Sequence, residues 1–168
     1  MKEGGDMRHL IKMSIAIMMA ITANISFADN NQQEANKKIV VSFYNDALNK
    51  KDFNAASQYL GPYYKQHNPT AADGAAGFKT FIEYLQKQFP ESHSEIKQIF
   101  ADGDYVILHV HSVRVPGTRG RAIIDVFRLK SGKIVEHWDV VQDIPEKSAN
   151  DNGMFWCFYR RIARLFWQ

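Results

Sequence analysis

The spacing of apolar residues changes once along the chain, close to Pro90, and this change constrains the fold more than any other feature. Before Pro90, apolar residues recur every three or four positions, which is the period of an amphipathic helix. After Pro90 they recur at every second position, which is the period of a strand with one buried face. The sequence therefore predicts helices followed by strands, an α+β domain.

The first half predicts three helices, over residues 32–50, 53–60 and 75–88. The first helix carries an apolar stripe that comprises Val40, Phe43, Tyr44, Ala47 and Leu48. Asp52 is placed to cap the second helix at its N-terminus, and Gly61 with Pro62 is expected to end it.

The second half predicts four strands, over residues 92–100, 105–115, 121–129 and 133–142. The connections between them are short and contain Gly103, Pro116–Gly117 and Ser131–Gly132. Short turns of this kind join antiparallel neighbours. We therefore expect a curved antiparallel sheet of four or more strands, and helices packed on one face of such a sheet leave a pocket.

Side chains alternate between the two faces of a strand, so position alone sorts the ionisable groups. One face of each of the last three strands mixes polar and apolar residues, among them His109, His111, Asp125, Phe127, His137 and Asp139. If these faces are concave, the polar groups meet in a pocket with the composition of a small-molecule site. The opposite parity would bury Val106, Leu108 and Trp138 and leave the polar groups facing water, and both parities remain open.

Two segments carry a resemblance to a known family: YKQHNP at residues 64–69 and DVFRLKSGKIVEHWDVVQDIP at residues 125–145. Together they resemble the SnoaL-like polyketide cyclases of the nuclear transport factor 2-like superfamily, over residues 32–145. The resemblance implies a cone-shaped fold, in which three helices pack into a strongly bent antiparallel sheet with a deep pocket at its open end.

The resemblance also implies a site. It makes Asp139 the acid/base residue of a cofactor-free aldol cyclase or isomerase, with His137 beside it and Asp125 across the sheet. It implies a pocket for a small apolar molecule whose lining includes His67, Asn68, His109, His111 and Phe127. A carboxylate among apolar walls is a stronger base than one in water. The alternative is a non-catalytic ligand-binding or protein-interaction domain of the same superfamily.

Other roles for these residues remain open. Asp139 pairs with Arg128 or Arg121 in one alternative, and His137 is then a wall residue. His109 and His111 would lie about 7 Å apart on one strand face, a spacing that zinc or iron accepts when carboxylates are nearby. No HExxH or CxxC string occurs, so neither a metal nor a cofactor is expected.

Residues 1–28 differ in character from the rest of the chain. Arg8 and Lys12 precede an apolar run over residues 13–25, and the run is followed by Ser26-Phe27-Ala28, with small residues where a signal peptidase cuts. The run is shorter than the roughly 20 residues that span a bilayer. We expect a signal peptide, a mature chain that begins at Asp29, and a periplasmic or secreted protein.

The end of the chain has a separate composition. Residues 146–153 are expected to be a polar linker and residues 154–168 an amphipathic helix, with aromatic residues on one side and arginines on the other. Such a helix either lies on a membrane surface or docks on the domain or on the second subunit of a homodimer. The single cysteine, Cys157, excludes an internal disulfide. A net charge of +3, from 21 basic and 18 acidic residues, argues against nucleic acid as a partner.

Overall fold

The computed structural model describes Lys12 and residues 29–155. Helix α1 covers residues 29–44 and continues as one π-helical turn, Asn45–Asn49. Helix α2 is Phe53–Ser57, and the Asp52 side chain caps it by accepting a hydrogen bond from the backbone N–H of Ala55 at 2.9 Å. Helix α3 is Gly74–Gln88. The three predicted helices are confirmed, with one correction at the end of α2.

Five strands form a single sheet in the order β1-β5-β4-β3-β2. They are β1 Leu60–Gln66, β2 His93–Asp102, β3 Tyr105–Val113, β4 Arg121–Lys130 and β5 Lys133–Asp143. Strands β2 to β5 pair antiparallel in chain order, whereas β1 pairs parallel with β5. The predicted α+β architecture is therefore confirmed.

Strand β1 corrects the prediction of a helix over residues 53–60. Helix α2 ends at Ser57, and Leu60 is the first residue of β1. Gly61 and Pro62 lie inside the strand rather than stopping a helix. Proline is tolerated there because β1 is an edge strand, where one side of the backbone has no ladder partner. A Cβ on Gly61 would come within 2.8 Å of Val135 Cγ1, so the two strands approach closely at this glycine.

The register of the sheet defines an inner face that packs against the helices. Val106 lies opposite Phe127, Leu108 opposite Asp125, and Val110 opposite Ile123. Opposed residues in an antiparallel pair share a face. The inner face and the helices enclose a core whose buried members include Val40, Phe43, Phe78, Ile82, Val106, Leu108, Val110 and Phe127.

Three predictions concern the ends of the chain and stay predictions. The signal peptide over residues 1–28 lies outside the described residues apart from Lys12, and the helix over 154–168 lies outside them apart from Met154 and Phe155. The predicted linker over 146–153 lies within the described residues and contains neither helix nor strand. No helix within the described residues is long and apolar enough to cross a membrane.

Candidate functional site

A cavity of about 500 Å³ lies between the helices and the inner face of the sheet. Its walls combine aromatic and aliphatic side chains from α1 and α3 with polar groups from the strands. The polar groups at one end of this cavity, which we call the acid/base cluster, are Asp125, His137, Asp139 and Asn68.

The strand register brings four of the predicted site residues together. Asp125 on β4 lies directly opposite Asp139 on β5, and Phe127 lies opposite His137. All four side chains line the cavity. Asp125 is 4% exposed and His137 is 9% exposed, while Asp139 is half-buried. Asp139 is therefore the more accessible of the two carboxylates.

His109 and His111 do not join this cluster, which corrects the prediction that they line the pocket. Residues 106, 108 and 110 of β3 face the core, so 109 and 111 face the opposite, outer side of the sheet. There, His109 contacts Gln98, and His111 Nε2 lies 2.8 Å from the backbone carbonyl of Arg119. The prediction was wrong because it assigned the odd-numbered residues of all three strands to one face of the sheet on the basis of their composition. In β4 and β5 the odd-numbered residues do face the cavity, but in β3 the even-numbered residues face the core.

His67 and Asn68 follow β1, and only Asn68 lines the cavity. The His67 ring stacks on Trp138 at 4.5 Å between centroids, and its Nε2 lies 2.7 Å from a carboxylate oxygen of Glu136. Since Glu136 and Trp138 flank the inward-facing His137, His67 lies outside the cavity, contrary to its predicted place at the substrate. Asn68 lines the cavity as predicted.

Asn68 orients the Asp139 carboxylate. Its side-chain Nδ2 donates to both Asp139 oxygens, at 2.7 and 2.8 Å. The side-chain oxygen of Asn68, Oδ1, accepts from the backbone N–H and the hydroxyl of Thr70, at 2.8 and 2.6 Å. These two donors fix which end of the amide points at Asp139. Asp139 is thus held by Asn68, and neither predicted arginine partner reaches it: Arg128 pairs with Glu136 and Arg121 with Asp143.

A chain of hydrogen bonds runs through the buried part of the cluster. The Tyr44 hydroxyl donates to one oxygen of Asp125 at 3.0 Å, and the other Asp125 oxygen lies 3.0 Å from His137 Nε2. His137 Nδ1 lies 3.0 Å from the side-chain oxygen of Gln66, Oε1, which also accepts from the backbone N–H of Asn68. His137 Nδ1 therefore carries a hydrogen, and one further proton is shared between His137 Nε2 and Asp125.

Two tyrosines close to the cluster are held in the neutral form. Burial raises the pKa of Tyr44 well above its usual range, and the adjacent Asp125 charge raises it further. Burial also raises the pKa of Tyr64, with a smaller contribution from Asp125. On the outer face, hydrogen bonds from His67 and Arg128 lower the pKa of Glu136. Both tyrosine hydroxyls therefore keep their protons at neutral pH. The Tyr44 hydroxyl donates to Asp125, whereas the Tyr64 hydroxyl accepts from the Gln66 side-chain Nε2 at 3.1 Å. Glu136 is ionised.

Sequence reasoning missed two residues that contact the cluster: Tyr44, which donates to Asp125, and Gln66, which lies beside His137. Tyr44 was assigned to the apolar stripe of α1, which is correct for its ring but overlooks its hydroxyl. A tyrosine within a stripe that faces a sheet is a usable indication, because a buried hydroxyl needs a partner.

The acid/base cluster also has the composition of a metal site. One ligand atom each from Asp125, His137 and Asp139 lies within 4.8 Å of the others. Binding a cation through all three would break the hydrogen bond between His137 Nε2 and Asp125. The donor set therefore fits a hydrogen-bonded acid/base group better than a preformed metal centre. His109 and His111 cannot complete a centre here, because they lie on the opposite face.

Comparison with known proteins supports the same fold. The family model described as SnoaL-like polyketide cyclase matches residues 38–147, more than half of the chain. A search of curated proteins gives no match.

Among solved structures, an LEH-like epoxide hydrolase from M. tuberculosis has a TM-score of 0.56 at 20% identity, over 66% of this chain and 85% of that one. TsrD from Streptomyces laurentii has a TM-score of 0.55 at 18% identity, over 65% and 89% of the respective chains. A nuclear transport factor 2-like protein of unknown function from Cytophaga hutchinsonii has a TM-score of 0.53 at 19% identity, over 64% and 89%. At such identities these similarities establish the fold alone.

Proposed function

We propose a function from one premise: the chain belongs to the SnoaL-like polyketide cyclase family, within the nuclear transport factor 2-like superfamily. The cavity binds a small, mostly apolar molecule, and Asp139 acts on it as the acid/base residue of a cofactor-free aldol cyclisation or isomerisation. One observation carries this proposal. The Asp139 carboxylate lines a cavity whose walls include aromatic and aliphatic side chains, and Asn68 orients the carboxylate there.

The reaction proceeds by proton transfers between the substrate and the cluster. Asp139 removes a proton from the carbon next to a substrate carbonyl, and the electron pair of that C–H bond forms the new C–C bond in a cyclisation. The oxygen of the attacked carbonyl then gains negative charge and takes the proton shared by His137 and Asp125. Asp139 returns its own proton to that pair, whose atoms lie within 4.8 Å. Stabilising the developing oxyanion in this way is what makes a carboxylate base effective.

The substitution Asp139→Asn tests the proposed base. The assay uses NMR to measure how fast solvent deuterium is incorporated at the carbon next to the carbonyl, in a panel of aromatic methyl ketones and β-ketoesters. We expect wild-type protein to accelerate this exchange for some members of the panel. Asp139→Asn should lower the accelerated rate at least about 100-fold, the usual contribution of a positioned base. The isosteric change Asp102→Asn, at an exposed position of β2, is the control and should leave the rate unchanged. An undiminished rate in Asp139→Asn would show that another group is the base.

A non-catalytic ligand-binding domain is the second candidate. It is favoured because the carboxylate oxygens of the cluster already have hydrogen-bond partners within the protein. Both oxygens of Asp139 and both oxygens of Asp125 already have hydrogen-bond partners among the described residues. If this candidate is correct, wild-type protein will carry a small molecule through purification, seen by native mass spectrometry, yet will not accelerate exchange. Asp139→Asn will then retain the same molecule.

Export is part of the proposal. The short apolar run and the small residues up to Ala28 support removal of residues 1–28 and a periplasmic or secreted mature protein. The cavity then meets molecules of the cell envelope or the medium rather than cytoplasmic metabolites.

A further inference from the structure

The cavity has a second polar region, which we call the arginine end. Arg114 follows β3 and Arg121 begins β4, and both line the cavity. Two hydroxyls line it as well, those of Ser94 and Ser112, which lie 3.0 Å apart. Ser112 is directly opposite Arg121 in the sheet, so these groups belong to one site.

The positive charge at the arginine end is poorly neutralised. Arg114 is half-buried, its guanidinium lies over the Phe89 ring at 5.3 Å, and it has no ion pair within residues 29–155. Burial lowers the pKa of Arg114, and the nearby Arg121 lowers it further. Arg121 does have a partner, Asp143 at 2.9 Å, but the Asp143 side chain is 82% exposed and therefore screened by water.

We propose that the arginine end binds an anionic group of the ligand, so that the substrate is an acid with an apolar body. The proposal deepens the function proposed above and rests on it. Two guanidinium groups present several N–H donors to a carboxylate or a similar oxyanion, and such charge-assisted bonds are strong when partly shielded from water. The Ser94 and Ser112 hydroxyls supply further donors at the same end.

The distance between the two ends restricts the substrate further. Arg121 and Asp125 are four residues apart on the same face of β4, which corresponds to about 13 Å along the strand. Ile123 lines the cavity between them, and Val141 lies opposite it on β5. The anionic group and the reacting carbonyl are therefore at opposite ends of an apolar body rather than adjacent.

Two related dyes test this inference. 8-Anilinonaphthalene-1-sulfonate carries a sulfonate, whereas N-phenyl-1-naphthylamine has the same aromatic body without it. Each dye is titrated by fluorescence against the full mature protein. The variant Ile123→Trp fills the cavity, so the part of the binding that is lost in this variant is counted as cavity binding. We expect Arg114→Gln to weaken cavity binding of the sulfonate dye at least about tenfold and that of the neutral dye less than about twofold.

Arg119→Gln is the matched control, because it removes one positive charge from an exposed position in the same β3–β4 loop. Arg119→Gln should change the cavity affinity of neither dye. It therefore distinguishes a general effect of lost positive charge from a direct contact between Arg114 and the sulfonate. Equal loss of both dyes in Arg114→Gln, or loss of neither, would overturn the anion site while leaving the apolar pocket intact. No cavity binding of either dye would overturn the proposed pocket itself.

Discussion

The Tyr44 hydroxyl links helix α1 to the acid/base cluster. It donates to the more buried carboxylate, Asp125, whose other oxygen contacts His137. A buried carboxylate is stable only when each oxygen has a donor, since desolvation of an unpaired charge is costly. Tyr44 therefore contributes both to the stability of the domain and to the position of the proton that Asp125 and His137 share.

We predict that Tyr44→Phe lowers the free energy of unfolding by about 1–3 kcal/mol, because one Asp125 oxygen loses its donor in a buried environment. Urea denaturation at pH 7 measures the loss. Tyr63→Phe is the control, since Tyr63 is 82% exposed, and it should change stability by less than about 0.5 kcal/mol. Equal stability of Tyr44→Phe and wild type would mean that Asp125 has no need of this hydrogen bond.

The same tyrosine gives a pH dependence. Its pKa in the folded state is raised above the unfolded value of 10.0, so the folded protein keeps this proton when the unfolded chain releases it. The stability that this contributes is complete below pH 10 and is lost as the pH rises further. We predict that, above pH 10, the free energy of unfolding falls more steeply with pH in wild type than in Tyr44→Phe. Parallel curves for the two proteins would contradict the assignment.

Strand parity together with the family resemblance predicted Asp125, His137 and Asp139 as neighbours, and the structure brings them together. It could not predict Tyr44 and Gln66, because their partners lie 81 and 71 residues away along the chain. Parity also failed for His109, since periodicity shows that side chains alternate but not which alternate set meets the helices. Tertiary packing decides that, and here Val106, Leu108 and Val110 are the buried set.

At the scale of elements, strand β1 is the part of the fold that was not predicted from the sequence. Its strand pattern is interrupted by Gly61 and Pro62, which usually mark turns, and only its place at the sheet edge makes them acceptable. The helices and the four antiparallel strands were predictable because their apolar periods are regular and their turns are short. A parallel edge strand far from its partner in sequence leaves no comparable pattern.

The close approach of β1 and β5 can be tested at Gly61. We predict that Gly61→Ala destabilises the domain by about 1–3 kcal/mol, because the new Cβ would lie 2.8 Å from Val135 Cγ1. The compensating variant Val135→Ala removes that methyl group. The double variant should therefore be more stable than the sum of the two single losses implies, as measured by thermal unfolding. Strict additivity would show that the glycine is needed for another reason.

At the scale of the whole molecule, the sequence predicts one folded domain preceded by a removable segment. We predict that amino-terminal sequencing of protein collected from a bacterial periplasm or medium begins at Asp29, because Ser26-Phe27-Ala28 presents small residues before that bond. Membrane-bound protein that retains residues 1–28 would instead indicate an uncleaved anchor. A variant with Ala28→Leu should be processed poorly and serves as the control.

The pairing of β1 with β5 has a consequence for how the domain folds. Leu60 pairs with Ile134 across more than seventy residues, whereas β2 to β5 pair with their neighbours through short turns. Contacts that close long loops form late, because the chain loses more conformational entropy before they are made. Asn68 follows β1 directly, so it reaches Asp139 only after β1 has joined the sheet. The carboxylate is thus oriented at the last stage of folding, and a nascent or partly folded chain has an incomplete site.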